Sequence, residues 1–159
     1  MSTETVETSI RESLSVDAPR ERAFSVFTEG LDSWFPREYN LLAVEIEERT
    51  FEPHEGGRIY DRGTDGSECV WGKVLAYDPP KRVVFVWAIT PHWQIADDNA
   101  KVSEVEVRFT AESPERTLVE LEHRHLERHG EGWEQLRESL TAEGGWAWCL
   151  QRFGERVTA

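Results

Sequence analysis

Apolar positions along the chain change period twice, dividing it into a strand-and-helix opening, a run of strands and a helical close. From Ser9 to Val16 apolar and polar residues alternate through Ile10, Leu14 and Val16, the pattern of a half-buried strand. Asp17-Ala18-Pro19 then supplies a helix start, with proline where its missing N–H costs nothing. Ala23, Phe24, Phe27 and Leu31 recur at helical spacing, giving an amphipathic helix. Gly30 interrupts it, and a second short helix is predicted through Trp34, stopped by Pro36.

The middle of the chain has the period of strands. Strands are predicted over Ala43 to Arg49, Arg58 to Arg62, Glu68 to Tyr77, Arg82 to Ile89, Ser103 to Ala111 and Thr117 to His125. Pro53 to Gly57, Thr64-Asp65-Gly66, Asp78 to Lys81 and Ser113-Pro114-Glu115 are turn signals between them. Connections are short, so an antiparallel meander is the economical topology. One connection is longer, Thr90 to Val102, and carries Pro91 and Trp93. From Gly132 to Val157 helical period returns, with Trp133, Leu136, Leu140, Ala147, Leu150 and Phe153 on one stripe. Gly144-Gly145 in its middle should cost about 1 kcal/mol apiece relative to alanine, which is tolerated where a helix bends or a neighbour comes close.

A sheet that is apolar on one face needs a cover. The predicted fold is therefore α+β: a curved antiparallel sheet of six to seven strands wrapped around a long C-terminal helix, with two short helices after the first strand. Residues 9–157 read as one domain and residues 1–8 as a flexible N-terminus. Between such a sheet and its helix a cavity is expected, and seven tryptophans in 159 residues supply more aromatic surface than a small core uses.

Charge narrows the partners. Asp and Glu number 31 against 18 Lys and Arg, a net charge of −13, which repels phosphate backbones and anionic lipid headgroups. No nucleic-acid or membrane partner is expected, and the longest apolar run, Val83 to Ile89, is far short of a membrane span. The N-terminus shows no secretory pattern, and Cys69 and Cys149 lack metal or disulfide spacing, so a cytoplasmic protein with reduced thiols is predicted. A homodimer is left open.

Several stretches carry a family resemblance. Val16-Asp17-Ala18-Pro19, Ala23-Phe24-Ser25-Val26-Phe27 and Trp34-Phe35 resemble the opening of the START-like (SRPBCC, birch-pollen-allergen-fold) superfamily of helix-grip domains. Phe51-Glu52-Pro53 with Gly56-Gly57-Arg58 narrows the resemblance, as does Gly72-Lys73-Val74 with the double-proline turn Asp78 to Lys81, Phe85 and Trp87. With Leu121-Glu122-His123-Arg124 before Gly132-Trp133, they are similar to the group named after the C-terminal domain of the activator of the heat-shock-protein-90 ATPase. The resemblance implies the helix-grip fold and a cavity. Superfamily members include lipid carriers, polyketide cyclases and hormone receptors, and the chaperone activators carry an additional N-terminal domain.

Strand parity places the candidate site. Val119, Leu121 and His123 share one face, as do Val105, Val107 and Phe109 on the preceding strand. In the hairpin closed by Asp78 to Lys81, Val74 falls opposite Phe85 and Gly72 opposite Trp87, where a glycine leaves room for the indole or a ligand. Trp34 and Trp133 stand at helix ends where the mouth of the cavity is expected, and Leu140 lies on the helix stripe. The candidate pocket is thus Trp34, Val74, Phe85, Trp87, Val107, Phe109, Leu121, His123, Trp133 and Leu140.

The function read from this set is binding of a small hydrophobic or amphipathic molecule, with His123 orienting it. The alternatives are a cyclase- or hydrolase-like enzyme using His123 as a base, and an interaction domain that regulates a chaperone ATPase. His123, His125 and His129 have ligand types suited to zinc, but His125 and His129 read as solvated loop residues, and no metal or cofactor is assigned.

Overall fold

A computed structural model describes residues 8–98 and 100–158. The predicted flexible segment 1–8 lies, apart from Thr8, outside the described residues; the Thr8 carbonyl accepts the Leu126 N–H at 3.1 Å. The strands are β1 (Ile10–Val16), β2 (Ile46–Phe51), β3 (Arg58–Gly63), β4 (Glu68–Asp78), β5 (Arg82–Trp87), β6 (Ser103–Ser113) and β7 (Arg116–Arg124). They form one antiparallel sheet in the order β1-β7-β6-β5-β4-β3-β2. The meander is as the short turns require, and β1 closes it by pairing with β7, Leu14 opposite Val119. Helix α1 (Arg20–Phe27) and a 3-10 turn (Leu31–Ser33) follow β1, and α2 (Trp133–Thr141) and α3 (Trp146–Thr158) end the chain.

Two element boundaries move for reasons of pairing. The predicted strand Ala43 to Arg49 is shifted to Ile46–Phe51, because β3 draws Arg49, Thr50 and Phe51 opposite Asp61, Tyr60 and Ile59. The strand predicted to Ile89 stops at Trp87, and Ile89 instead bridges to Ile95, tying down the long loop that follows.

Bulges curl the sheet. Register shifts occur at Ile46/Glu48, Ile59/Tyr60, Val74/Ala76 and Ala111/Ser113, each adding a residue on one strand and bending it. At the second of these, Ile59 pairs with Gly72 and Tyr60 with Val70, so Trp71 is the extra residue of β4. Trp71 and Gly72 are both buried although adjacent, which strict alternation forbids.

The predicted single terminal helix is two. Thr141 ends α2, Ala142 is extended (ψ 177°), and Gly144 has φ +87°, a left-handed conformation that favours glycine. At Gly145 a Cβ would stand 2.1 Å from the Leu140 carbonyl oxygen, so only glycine lets the chain reverse so tightly before α3. Gly145→Ala is expected to lower the unfolding free energy by about 2 kcal/mol, through overpacking against rigid backbone. A denaturant titration checks this, with a lower midpoint at unchanged slope.

The main core lies where α1 and α3 cover the β1–β7–β6 side of the sheet. Trp34 is buried there, its ring centroid 5.0 Å from Phe27 and 5.3 Å from Phe153. Phe109 meets Phe24 at 5.2 Å and Phe27 at 5.8 Å in edge-on geometry, the arrangement aromatic pairs prefer.

Candidate functional site

Beside this core the curled sheet stands away from the helices, leaving a cavity of about 260 Å³. Its inner wall is four rings from four parts of the chain: Phe35 after the 3-10 turn, Trp71 from the β4 bulge, Trp87 at the end of β5 and Trp146 at the start of α3. Each touches the next. Centroid separations are 6.0 Å for Phe35–Trp71, 5.6 Å for Trp71–Trp87, 5.6 Å for Trp87–Trp146 and 6.2 Å for Trp146–Phe35. Leu140 and the Gly144-Gly145 reversal form the helical side, and the Tyr39 hydroxyl donates to the Gly144 carbonyl at 2.9 Å across it. The mouth lies beside Tyr39 and Trp93, which are 42% and 54% exposed.

A buried ion pair underlies this wall. Arg49 Nε donates to Asp61 Oδ1 at 2.7 Å, with side-chain exposures of 0% and 1%. The same guanidinium donates to the carbonyls of Phe35, Pro36 and Tyr39 at 3.2, 3.1 and 2.8 Å, and the Trp71 indole donates to Asp61 Oδ1 at 3.3 Å. One salt bridge thereby fixes both Phe35 and Trp71.

Of the residues predicted for the pocket, Trp87 and Leu140 line this cavity. Trp34, Val74, Phe85, Val107, Phe109 and Leu121 are packed in the core instead: α1 covers β6 and β7, Trp34 packs on Phe27 and Phe153, and Phe85 meets Phe51. Trp133 is half-buried at the start of α2 and packs on the core edge. Val74 does pair with Phe85, and the Ala88 N–H bonds the Trp71 carbonyl at 3.0 Å, continuing the ladder past Gly72. The space above Gly72 is not free for a ligand, since a Cβ there would meet the Val86 carbonyl at 2.8 Å and Ile59 Cδ1 at 3.1 Å. The wall residues missed are Phe35, Trp71 and Trp146.

His123 is fully buried behind the wall, its ring 5.2 Å from Trp87. Trp146 Nε1, a donor only, donates to His123 Nδ1 at 3.0 Å, so the proton of His123 sits on Nε2 and is given to Ser103 Oγ at 2.7 Å. The Ser103 hydroxyl then donates to His129 Nε2, also at 2.7 Å. His129 is therefore a buried member of a hydrogen-bonded chain, not the solvated loop residue expected from sequence; the 3-10 turn Leu126–His129 folds it inward. Burial, and next the neighbouring His129, push the His123 pKa down to about 3, and burial lowers that of His129. His125 takes a left-handed conformation (φ 64°) and is not brought to the other two. Among the described residues no group of three or more His, Cys, Asp or Glu side chains is placed to hold a metal ion. Cys149 lines the cavity, with its thiol pushed up to about 11, chiefly by burial, which makes it a packing residue and a poor nucleophile.

Glu106 organises the outer face of the sheet. Burial opposes its charge, but hydrogen bonds from Arg82, Arg108 and Arg124 outweigh that and bring its pKa down to about 2. No helix among the described residues is long and apolar enough to cross a membrane.

Comparison with known proteins agrees with this architecture. The anthrahydroquino-gamma-pyrone synthase Txn09, solved in complex with SUM, is 38% identical, with 92% of this chain and 95% of that chain covered and a TM-score of 0.66. The self-sacrificing resistance protein CalC from Micromonospora echinospora is 30% identical over 95% of this chain and 94% of its own, with a TM-score of 0.71. Protein NE0264 from Nitrosomonas europaea, 16% identical with 99% and 98% covered and a TM-score of 0.67, shares the fold. No curated protein matches. The family model described as Activator of Hsp90 ATPase homolog 1-like protein matches residues 17–158. With nearly the whole chain matched, and a curled seven-stranded sheet closed by C-terminal helices, the protein belongs to the Activator of Hsp90 ATPase homolog 1-like family and has its helix-grip fold.

Proposed function

We propose that the protein binds a small hydrophobic or amphipathic molecule in the cavity walled by Phe35, Trp71, Trp87 and Trp146. The cavity itself carries this reading: about 260 Å³ is well beyond the roughly 150 Å³ apolar cavity that accepts a benzene ring. Affinity would come from burying apolar ligand surface at about 25 cal/mol per Å². The similarity to a synthase solved in complex with SUM supports a ligand-binding reading. His123 acts here through Trp146, whose indole it holds in the wall. Its Nδ1 lone pair is already used and its Nε2 proton is given to Ser103, so proton transfer at His123 is no part of the proposal.

Native mass spectrometry of protein purified without organic solvent tests this, by an excess mass of a few hundred daltons that leaves on denaturation. The control is Ser139→Trp. Ser139 is exposed on α2 and lines the cavity, so the larger side chain obstructs the site while changing stability by no more than about 0.5 kcal/mol, as surface substitutions do. The excess mass should be lost in that variant. Equal retention by both proteins would put the bound molecule elsewhere.

A further inference from the structure

The first part of the connection between β5 and β6, Thr90 to Ile95, has a built conformation at the mouth of the cavity. The Ile89–Ile95 bridge closes it, and the Thr90 N–H donates to the Gln94 carbonyl at 2.8 Å. Within that loop the Trp93 N–H donates to the Thr90 carbonyl at 3.0 Å, while the Thr90 hydroxyl accepts from the His92 and Gln94 N–H groups, each at 3.2 Å. Pro91 lies against the start of α2, where a Cβ on Gly132 would meet its ring at 3.3 Å. At the tip, Trp93 has φ 58°, a left-handed conformation that a bulky side chain adopts only at a steric cost. It also lines the cavity while leaving 54% of its surface in water. The chain thus accepts two costs at one residue, backbone strain and a large exposed apolar ring, and both point the indole to the same place.

The charge of the lining is as informative. Among the described residues lining the cavity none is Lys or Arg, and the acids are Asp61, neutralised by Arg49, and Glu143 at the exposed rim. A carboxylate or phosphate ligand would meet no cation there, within a chain of net charge −13.

We propose that Trp93 is the specificity-determining cap of the cavity, stacking on the outer face of an uncharged ligand that presents a flat aromatic ring system at the mouth. This rests on the cavity's being a small-molecule site. A ring seated between the inner wall and Trp93 covers the exposed indole, which repays its exposure only when ligand is bound. A flexible anionic chain has neither the flat face nor a counter-charge to use.

The test is calorimetric titration of the intact protein with 1,4-dihydroxyanthraquinone, flat and neutral, and with palmitate, flexible and anionic. Wild type, Trp93→Gly and Trp93→Phe are compared, with thermal unfolding of each unliganded protein. Glycine adopts φ 58° freely, so Trp93→Gly should unfold at a temperature no lower than wild type while its affinity for the anthraquinone falls about tenfold or more. Trp93→Phe, which keeps a ring at the tip, should restore most of that affinity. Unchanged affinity in Trp93→Gly with normal wild-type binding overturns the cap and leaves the cavity reading standing. A marked loss of unliganded stability in Trp93→Gly overturns it too, by making Trp93 a packing residue. Tighter binding of palmitate overturns the ligand class, and failure of wild type to bind either probe removes the cap together with the site on which it rests.

Discussion

Asp61→Ala is expected to lower the unfolding free energy by about 3–5 kcal/mol and to abolish ligand uptake in the same step. The guanidinium of Arg49 has five N–H donors, and all five are used. Nε and one Nη2 hydrogen go to Asp61, the other Nη2 hydrogen to the Tyr39 carbonyl, and the two on Nη1 to the carbonyls of Phe35 and Pro36. Removing the carboxylate leaves a full charge in the interior with only carbonyl dipoles to solvate it, and it unpairs the Trp71 indole as well. The arginine would have to leave the interior, releasing the segment from Phe35 to Tyr39 that forms one side of the cavity. Replacing both partners by apolar residues, Arg49→Met with Asp61→Leu, should recover much of the lost stability, because the desolvation of two charges is removed along with their attraction. It should not recover binding, since the three carbonyls lose their donor. Equilibrium unfolding of the single and double variants, with calorimetric titration of each, measures both halves. A cost below about 1 kcal/mol for Asp61→Ala would mean that the pair behaves as a solvated one and does not anchor the wall.

The same pair shows where the sequence could have yielded more. Arg49 shares parity with Phe51, and Asp61 with Ile59, so both charges stand on the apolar face of their strands, a pattern that points to a buried pair. The meander, the double-proline hairpin and the apolar set on β6 and β7 follow from period and turn residues, which act locally, whereas Val74 comes opposite Phe85 only through the bulge at Leu75. The cavity does not. Its wall depends on the bulge that turns Trp71 inward beside Gly72, and an inserted residue leaves no mark in an alternating pattern until its partner strand is known. Phe35 and Trp146 reach the wall from a loop and from a helix start, where strand parity does not apply. Gly144-Gly145 signalled a bend, yet only the approach of Gly145 to the Leu140 carbonyl makes it a full break that brings Trp146 to the cavity. What parity did predict, an apolar face running from Phe109 through Leu121, is occupied by α1 and α3. The larger share of that face became core, and the cavity lies at its far edge.

Acidification should destabilise the protein well before its carboxylates titrate. His123 is neutral in the fold, with Nδ1 accepting from Trp146, and burial together with His129 holds its pKa down to about 3. In the unfolded chain a histidine protonates near pH 6.5. Between those values the unfolded state binds a proton that the folded state refuses. His123 therefore leaves stability intact above about pH 6.5 and removes about 1.4 kcal/mol for each pH unit below it, until the folded form also protonates near pH 3. His129, whose pKa burial also lowers, adds to the loss with the same sign. Glu106 acts in the same direction in a lower window: its three arginine partners stabilise the fold above its ordinary value of 4.5, and that contribution disappears as pH falls toward 2. The interval from pH 6.5 to 4.5 is thus where the histidines stand apart from Glu106. Denaturant unfolding at half-unit steps across it should show a stability that falls steadily with pH. His123→Gln offers Trp146 an acceptor and Ser103 a donor without a titrating proton, so it should start from a lower stability at pH 7.5 and decline less steeply. A flat wild-type profile between pH 6.5 and 4.5, or a variant slope equal to that of wild type, would show that His123 accepts a proton in the folded state. Its bond from Trp146 would then open readily, and the wall of the cavity would be looser than its four ring contacts describe.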